Sequence, residues 1–143
     1  MLTQISCINY NIKLQGDNGN AFNIDKLCLE QDDVDGKIVS YVRFYLQIVQ
    51  DNKSVPLELM CKLVEFKNWI YSLYSTGPLD SNRKHEVKYD MADGCYIQYK
   101  CISQDKGELT FVNTKEDINL CLQTTNNKVR EFQSNLQKLI SFI

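Results

Sequence analysis

EVKYDMADGCYIQYKC, residues 86–101, is the stretch on which the fold turns. Val87, Tyr89 and Met91 alternate with polar residues, and so do Cys95, Ile97, Tyr99 and Cys101, the period of half-buried strands. A two-residue Asp93-Gly94 turn would pair Ala92 with Cys95 and send the two apolar rows to opposite sides. A three-residue loop Ala92-Asp93-Gly94 instead pairs Met91 with Cys95, Tyr89 with Ile97 and Val87 with Tyr99, so every apolar side chain shares one face. Gly94 then occupies the left-handed bulge position. The stretch reads as one hairpin of an antiparallel sheet with a single buried face.

Downstream, Asp105-Lys106-Gly107 repeats the device and is expected to set Cys101 opposite Phe111. A four-residue connection, 114–117, pairs Asn113 with Ile118, Phe111 with Leu120 and Leu109 with Leu122, completing a meander of four short strands. Asn126 is placed to cap a closing helix with the stripe Val129, Phe132, Leu136, Leu139, Ile140 and Ile143. That stripe runs to the last residue, so the C-terminus is expected to be docked.

Upstream, Ile8, Tyr10, Ile12 and Leu14 alternate as a strand, and Asp17-Asn18-Gly19-Asn20 is a turn. Phe22 and Ile24 have the opposite parity to Leu27 and Leu29, which requires a bulge or short break near Asp25-Lys26. After an acidic loop at 32–36, a long strand spans about 38–50. Val42, Phe44, Leu46 and Ile48 share one of its faces, and Val39, Tyr41, Tyr45 and Val49 the other, the pattern of a central strand covered at least in part on both sides. Leu59, Leu63, Phe66, Ile70 and Leu73, widened by Met60 and Val64, predict a first helix capped by Ser54, with Pro56 in its opening turn and Gly77-Pro78 as its stop. Two one-sided helices and a sheet give an α+β fold: N-terminal strands plus a C-terminal meander, packed with the helices. No internal repeat interrupts the reading, and a length of 143 residues suits a single domain, 1–143.

The net charge of −2 disfavours a nucleic-acid binder that works by neutralising phosphates. Met1 begins no basic-then-apolar leader, and no apolar run approaches the length of a membrane span. Cys7, Cys28, Cys61, Cys95, Cys101 and Cys121 form no Cys-x-x-Cys pair, and several lie in apolar segments, so all six are expected to be free thiols in a cytoplasmic protein.

The chemistry-bearing patterns are sparse. His85 is the sole histidine, and the register sets it opposite Cys101 without an orienting group. Asp33-Val34-Asp35-Gly36 resembles a calcium loop, but its end positions would fall on Gln31 and Val42, which cannot serve, so it is a turn. Glu86 and Asp90 alternate on the water-facing side of their strand. Phosphate-cradling glycine patterns are lacking. The sequence therefore predicts no catalytic residue, no metal and no cofactor. The candidate partner-binding residues are Asp32, Asp33 and Asp35, in an N-terminal quarter that is net acidic, and Trp69, Tyr71, Tyr74 and Tyr96. Trp69 lies off the helix stripe, either as core flank or as exposed anchor.

The helix with Leu63-Val64-Glu65-Phe66 and Trp69-Ile70, the strand His85-Glu86-Val87-Lys88-Tyr89, then Glu108-Leu109-Thr110-Phe111, Ile118-Asn119-Leu120 and the helix at 129–142 follow a recognisable order. Over about residues 55–143 this order resembles the immunity proteins of bacterial wall-associated, Wap-type contact-dependent toxins. The resemblance implies a non-enzymatic module that binds and neutralises a cognate toxin domain in the cytoplasm. The alternative is an intracellular adaptor or small-ligand-binding domain.

Overall fold

The chain runs twice through the same order, four antiparallel strands and then a helix. The computed structural model describes residues 1–73, 86–91, 94–103 and 105–142. The first unit is β1 (Leu2–Gln15), β2 (Ala21–Val34), β3 (Lys37–Gln50), β4 (Lys53–Lys62) and α1 (Leu63–Ser72). The second is β5 (Glu86–Asp90), β6 (Cys95–Cys101), β7 (Lys106–Asn113), β8 (Ile118–Thr125) and α2 (Asn126–Ser141). Each unit forms its own four-stranded meander, β1-β2-β3-β4 and β5-β6-β7-β8. Each helix bridges the two units: α1 packs on β3, β4 and the other unit's β5, while α2 packs on β7, β8 and the other unit's β1. The stripe Leu63, Phe66, Ile70, Leu73 of α1 recurs at the same spacing as Val129, Phe132, Leu136, Leu139 in α2. An internal repeat therefore exists in the architecture although the strand sequences do not display it.

The α+β arrangement matches the sequence reading, and so do the registers at the β2 bulge, β5–β6 and β7–β8. Ile24 pairs with Leu46 and Lys26 with Tyr45, so Asp25 is an extra residue and Phe22, Ile24, Leu27 and Leu29 all reach the core. In the second sheet Val87 pairs with Tyr99 and Tyr89 with Ile97, and Gly94 has φ 74°. Asn113 pairs with Ile118 and Leu109 with Leu122.

Four expectations are corrected. Residues 53–62 are strand and not helix: Leu57, Leu59 and Cys61 alternate toward β3, facing Leu46, Phe44 and Val42. Leu59 and Leu63 fit a helical spacing only by coincidence, and Pro56 is tolerated because β4 is an edge strand. The β6–β7 turn comes two residues earlier than expected, with Cys101 opposite Gly107 and Phe111 opposite Ile97. Gly107 permits this, since a Cβ there would stand 2.6 Å from the Tyr99 ring. Thr125, not Asn126, caps α2, accepting from the Lys128 amide, and Asn126 instead ties the helix to the β6–β7 turn by donating to the Ser103 carbonyl at 2.9 Å. The α2 stripe is buried as far as Leu139, but Phe142 is 76% exposed. The proposed helix stop at Gly77-Pro78 and Ile143 lie outside the described residues.

The cysteines also depart from expectation. Cys7 and Cys28 are direct cross-strand partners on β1 and β2 and form a disulfide; Cys61, Cys95, Cys101 and Cys121 are free. Isolated apolar neighbours said nothing of strand pairing, and it is pairing that brings these two sulfurs together.

Both sheets and both helices share one core. Phe22 of the first sheet meets Phe111 of the second at 5.3 Å and Phe132 of α2 at 6.2 Å, while Phe44 meets Phe66 of α1 at 4.4 Å. Buried Gln133 of α2 donates to the Ile70 carbonyl of α1 at 2.6 Å, joining the two helices. Backbone and side-chain bonds close the seam between units, from the Asp17 amide to the Gln123 carbonyl at 2.9 Å and from Thr124 Oγ1 to the Gln15 carbonyl at 3.2 Å.

Phe132→Ala is expected to cost about 3–5 kcal/mol, and Leu63→Ala, half-buried at the start of α1, less than about 2 kcal/mol. Urea unfolding of both variants checks the order; equal losses would contradict the packing of α1. Alkylation of denatured protein prepared without reductant should modify four thiols, Cys61, Cys95, Cys101 and Cys121, and all six only after reduction. Six before reduction would disprove the bond. Cys7→Ser should lower stability by about 3 kcal/mol, the loop-closure value for a bond of this span.

Candidate functional site

The acidic candidates sit on a projecting arm. Pairing between β3 and β4 ends at Tyr41 and Lys62, where the chain turns into α1. β2 and β3 continue past that point, pairing Asp33 with Ile38 and Val34 with Lys37. Asp35 and Gly36, with φ 53° and 81°, form the two-residue left-handed turn that matches strand twist, so the acidic loop expected at 32–36 is mostly strand. On the other side β1 accompanies the arm only as far as Leu2, opposite Asp32.

The arm combines charge with exposed apolar surface. Asp32 accepts from the Met1 ammonium at 2.7 Å, and Asp33 Oδ1 accepts from the Gly36 amide at 3.1 Å. Asp33 and Asp35 face water at the tip. Val34 is 48% and Ile38 68% exposed, with Leu2 and Ile5 on the adjoining strand at 39% and 51%. Val34 and Lys37 bracket the turn as a hydrogen-bonded pair, so by the alternation of an antiparallel ladder Ile38 and Ser40 point their N–H and C=O toward the side that β4 has left. Among the described residues no strand pairs with that edge.

The aromatic candidates are not gathered there. Trp69 is 5% exposed and stacked beside Phe66 at 6.4 Å, so it is core flank, not a surface anchor. Because α1 begins at Leu63, its buried arc is Phe66, Trp69, Ile70 and Leu73, which includes the indole. Tyr71 is 70% exposed on the same helix. Tyr96 is half-buried on the outer face of the second sheet, opposite Asp90, with the Lys88 ammonium 4.3 Å above its ring. Tyr74, like His85, lies outside the described residues. The acidic tip, Tyr71 and Tyr96 thus stand on three separate elements. Ile38 escaped the sequence reading because it has the parity of Val42 and Phe44 and is exposed where β3 outruns β4 and α1.

The outward face of the first sheet holds a second constellation that sequence reasoning missed. Arg43 Nε donates to both carboxylate oxygens of Glu30 at 3.0 and 2.9 Å, Nη1 donates to Glu58 at 2.7 Å, and Nη2 reaches Met60 Sδ at 3.4 Å. Arg43 lies directly between Cys28 and Met60, and the Lys26 ammonium stands 5.2 Å over the neighbouring Tyr45 ring. Burial works against the guanidinium charge, but its hydrogen bonds to Glu30 and Glu58 and their negative charge together outweigh it, and the net effect is upward. β3 is central, as its pattern suggested, and its second face carries these neighbouring side chains. The signal was available in the odd positions Tyr41, Arg43 and Tyr45, opposite Glu30 and Glu58.

The buried free thiols are poorly suited to nucleophilic work. Burial pushes Cys61 up to about 12, against a lowering hydrogen bond from Tyr89 and with help from the Glu65 charge. Cys95 is pushed up to about 11 by burial. Burial, then Cys61 and Glu65, raise the Tyr89 phenol, which donates to Glu65 at 2.9 Å. Each raised value keeps its group protonated at neutral pH, whereas thiol chemistry needs the thiolate. Cys101 donates to the Ser103 carbonyl at 3.1 Å within the network that seats α2. Among the described residues no group of three or more His, Cys, Asp or Glu is placed to hold a metal, and no helix is long and apolar enough to cross a membrane.

Arg43→Ala leaves the Glu30 carboxylate, whose side chain is 11% exposed, without its cation. The expected loss is about 2–4 kcal/mol, below the figure for a fully buried pair. Glu58→Gln, at an exposed position, should cost less than about 1 kcal/mol. Comparable losses in the two variants, measured by denaturant melts, would show that Glu30 does not depend on Arg43. Comparison of the chain with protein-family models, with curated proteins and with solved structures finds no match.

Proposed function

We propose that this chain is a non-enzymatic protein-binding module that docks a basic partner through the β2–β3 arm. The observation that carries the reading is the coincidence, on one projecting hairpin, of exposed carboxylates, exposed Val34 and Ile38, and an edge without a described partner strand. Carboxylates at a tip accelerate encounter with a positive surface and add little holding energy once docked. Apolar side chains inside such a contact, and main-chain hydrogen bonds to a sheet edge, slow its dissociation. A partner that carries phosphates, such as a nucleic acid, would be repelled by the same tip.

The resemblance to Wap-type immunity proteins makes the partner a cognate toxin domain, neutralised by occupation of its surface. That reading places the module in the cytoplasm. Thiols are kept reduced there, so a stoichiometric Cys7–Cys28 bond in protein alkylated at lysis would count against that location.

Surface plasmon resonance against the toxin domain encoded beside the gene tests the proposal. Asp32→Asn, Asp33→Asn and Asp35→Asn combined should slow association by about tenfold or more at low salt, with the difference shrinking as salt screens the charges. Asparagine at position 33 still accepts from the Gly36 amide, so the turn survives. Ile38→Ser should instead speed dissociation with little change in association. An unchanged association rate in the triple variant removes the arm from the mechanism, and no binding to the neighbouring toxin removes the immunity reading itself.

A further inference from the structure

We infer that the groove between β1 and α2 is a binding site for a single-chain anionic amphiphile, by class a long-chain fatty acid. The inference is independent of the arm and goes beyond protein binding. Two adjoining hollows lie along this seam, of about 230 Å³ and 370 Å³, and share Asn135. Hollows of this size are suited to small molecules.

Their chemistry differs from end to end. The first is lined by Lys13, Gln15, Lys128 and Glu131, at the N-terminal turns of α2. The helix carries no acidic residue in its first turn, so its partial positive charge adds to that of Lys13 and Lys128 and outweighs Glu131. The second hollow is floored by Ile8, Tyr10, Leu139 and Phe142, with Lys138 beside them. Tyr10 is 52% and Phe142 76% exposed, so two aromatic rings stand partly uncovered along this seam. From Lys128 to Phe142 the helix rises about 21 Å, a span that suits an extended acyl chain. The register of β1 slips between Asn9 and Ile12, so Tyr10, which lines the hollow, belongs to a bulge.

The polarity of the groove selects the occupant. An anionic head belongs at the lysines and the helix N-terminus, and an apolar tail toward Phe142. A peptide laid on the same floor would bring backbone N–H and C=O groups to a surface of hydrocarbon and ring, where they would go unpaired.

Titration of the full chain with dodecanoate and tetradecanoate, below micelle formation, tests this by calorimetry. One site is expected, tightening by up to about fourfold per added methylene. Amide NMR shifts should fall on residues 8–15 and 128–142. Lys13→Ala with Lys128→Ala should weaken the carboxylates at least tenfold and leave dodecanol unaffected, while Phe142→Ser should weaken both; all three positions are exposed, so folding is spared. Equal binding of dodecyltrimethylammonium, an unchanged affinity in the lysine variant, or binding only to phosphatidylglycerol vesicles and not to the free acids would each overturn the inference.

Discussion

Phe22 is the point at which the two halves of the chain meet. Its ring touches Phe111 across the sheets and Phe132 on α2, so one side chain of the first unit is packed by the strands and the helix of the second. The contact matters because neither half can satisfy itself. Each sheet offers one apolar face and each helix one apolar stripe, and a four-stranded meander with a short helix leaves too much of that surface wet. Each helix bridges the units, α1 reaching β5 and α2 reaching β1, so each unit helps to cover the other. Gln133 reaching the Ile70 carbonyl then fixes the two helices in one register, at a depth where an unmade hydrogen bond is costly.

Much of this was legible in the chain, and the reason lies in parity. Where one face of a strand is buried, a slip of one residue exposes every apolar side chain, so the Asp25 bulge and the β5–β6 and β7–β8 registers follow from alternation and turn length. The β6–β7 hairpin escaped because a shift by an even number of residues keeps all side chains on the same face. Only the close approach of Tyr99 to Gly107 decides between such registers, and that contact is tertiary. β4 escaped because Leu59, Leu63 and Phe66 satisfy a helical period across a strand-to-helix junction that has no intervening loop.

The candidate site was legible only in part. Composition located the acids, but the tip of the arm divides them: Asp32 is engaged by the Met1 ammonium, and Asp33 and Asp35 are presented to water. Tyrosine and tryptophan are drawn as readily to a core margin as to an interface, and Trp69 took the core. The Cys7–Cys28 bond depends on which residues stand opposite each other across β1 and β2, where the β1 register slips twice and parity alone misleads.

Both proposed surfaces arise from the same cause, a mismatch in the lengths of neighbouring elements. Ile38 is exposed because β3 outruns β4 and α1, and the uncovered ends of the β1–α2 seam exist because the α2 stripe stops being buried before Phe142. β1 connects the two places. It starts beside the arm at Leu2, is bonded to β2 at Cys7, and from Ile8 onward lines the groove. A period of two or of 3.6 reports which way a side chain faces along its own element and nothing about where the neighbouring element ends. Apolar residues at such overhangs therefore carry the signature of core in the sequence while standing in solvent in the fold. Val34, Ile38 and Phe142 stand exposed at such ends, whereas the Arg43 side chain is engaged by Glu30, Glu58 and Met60.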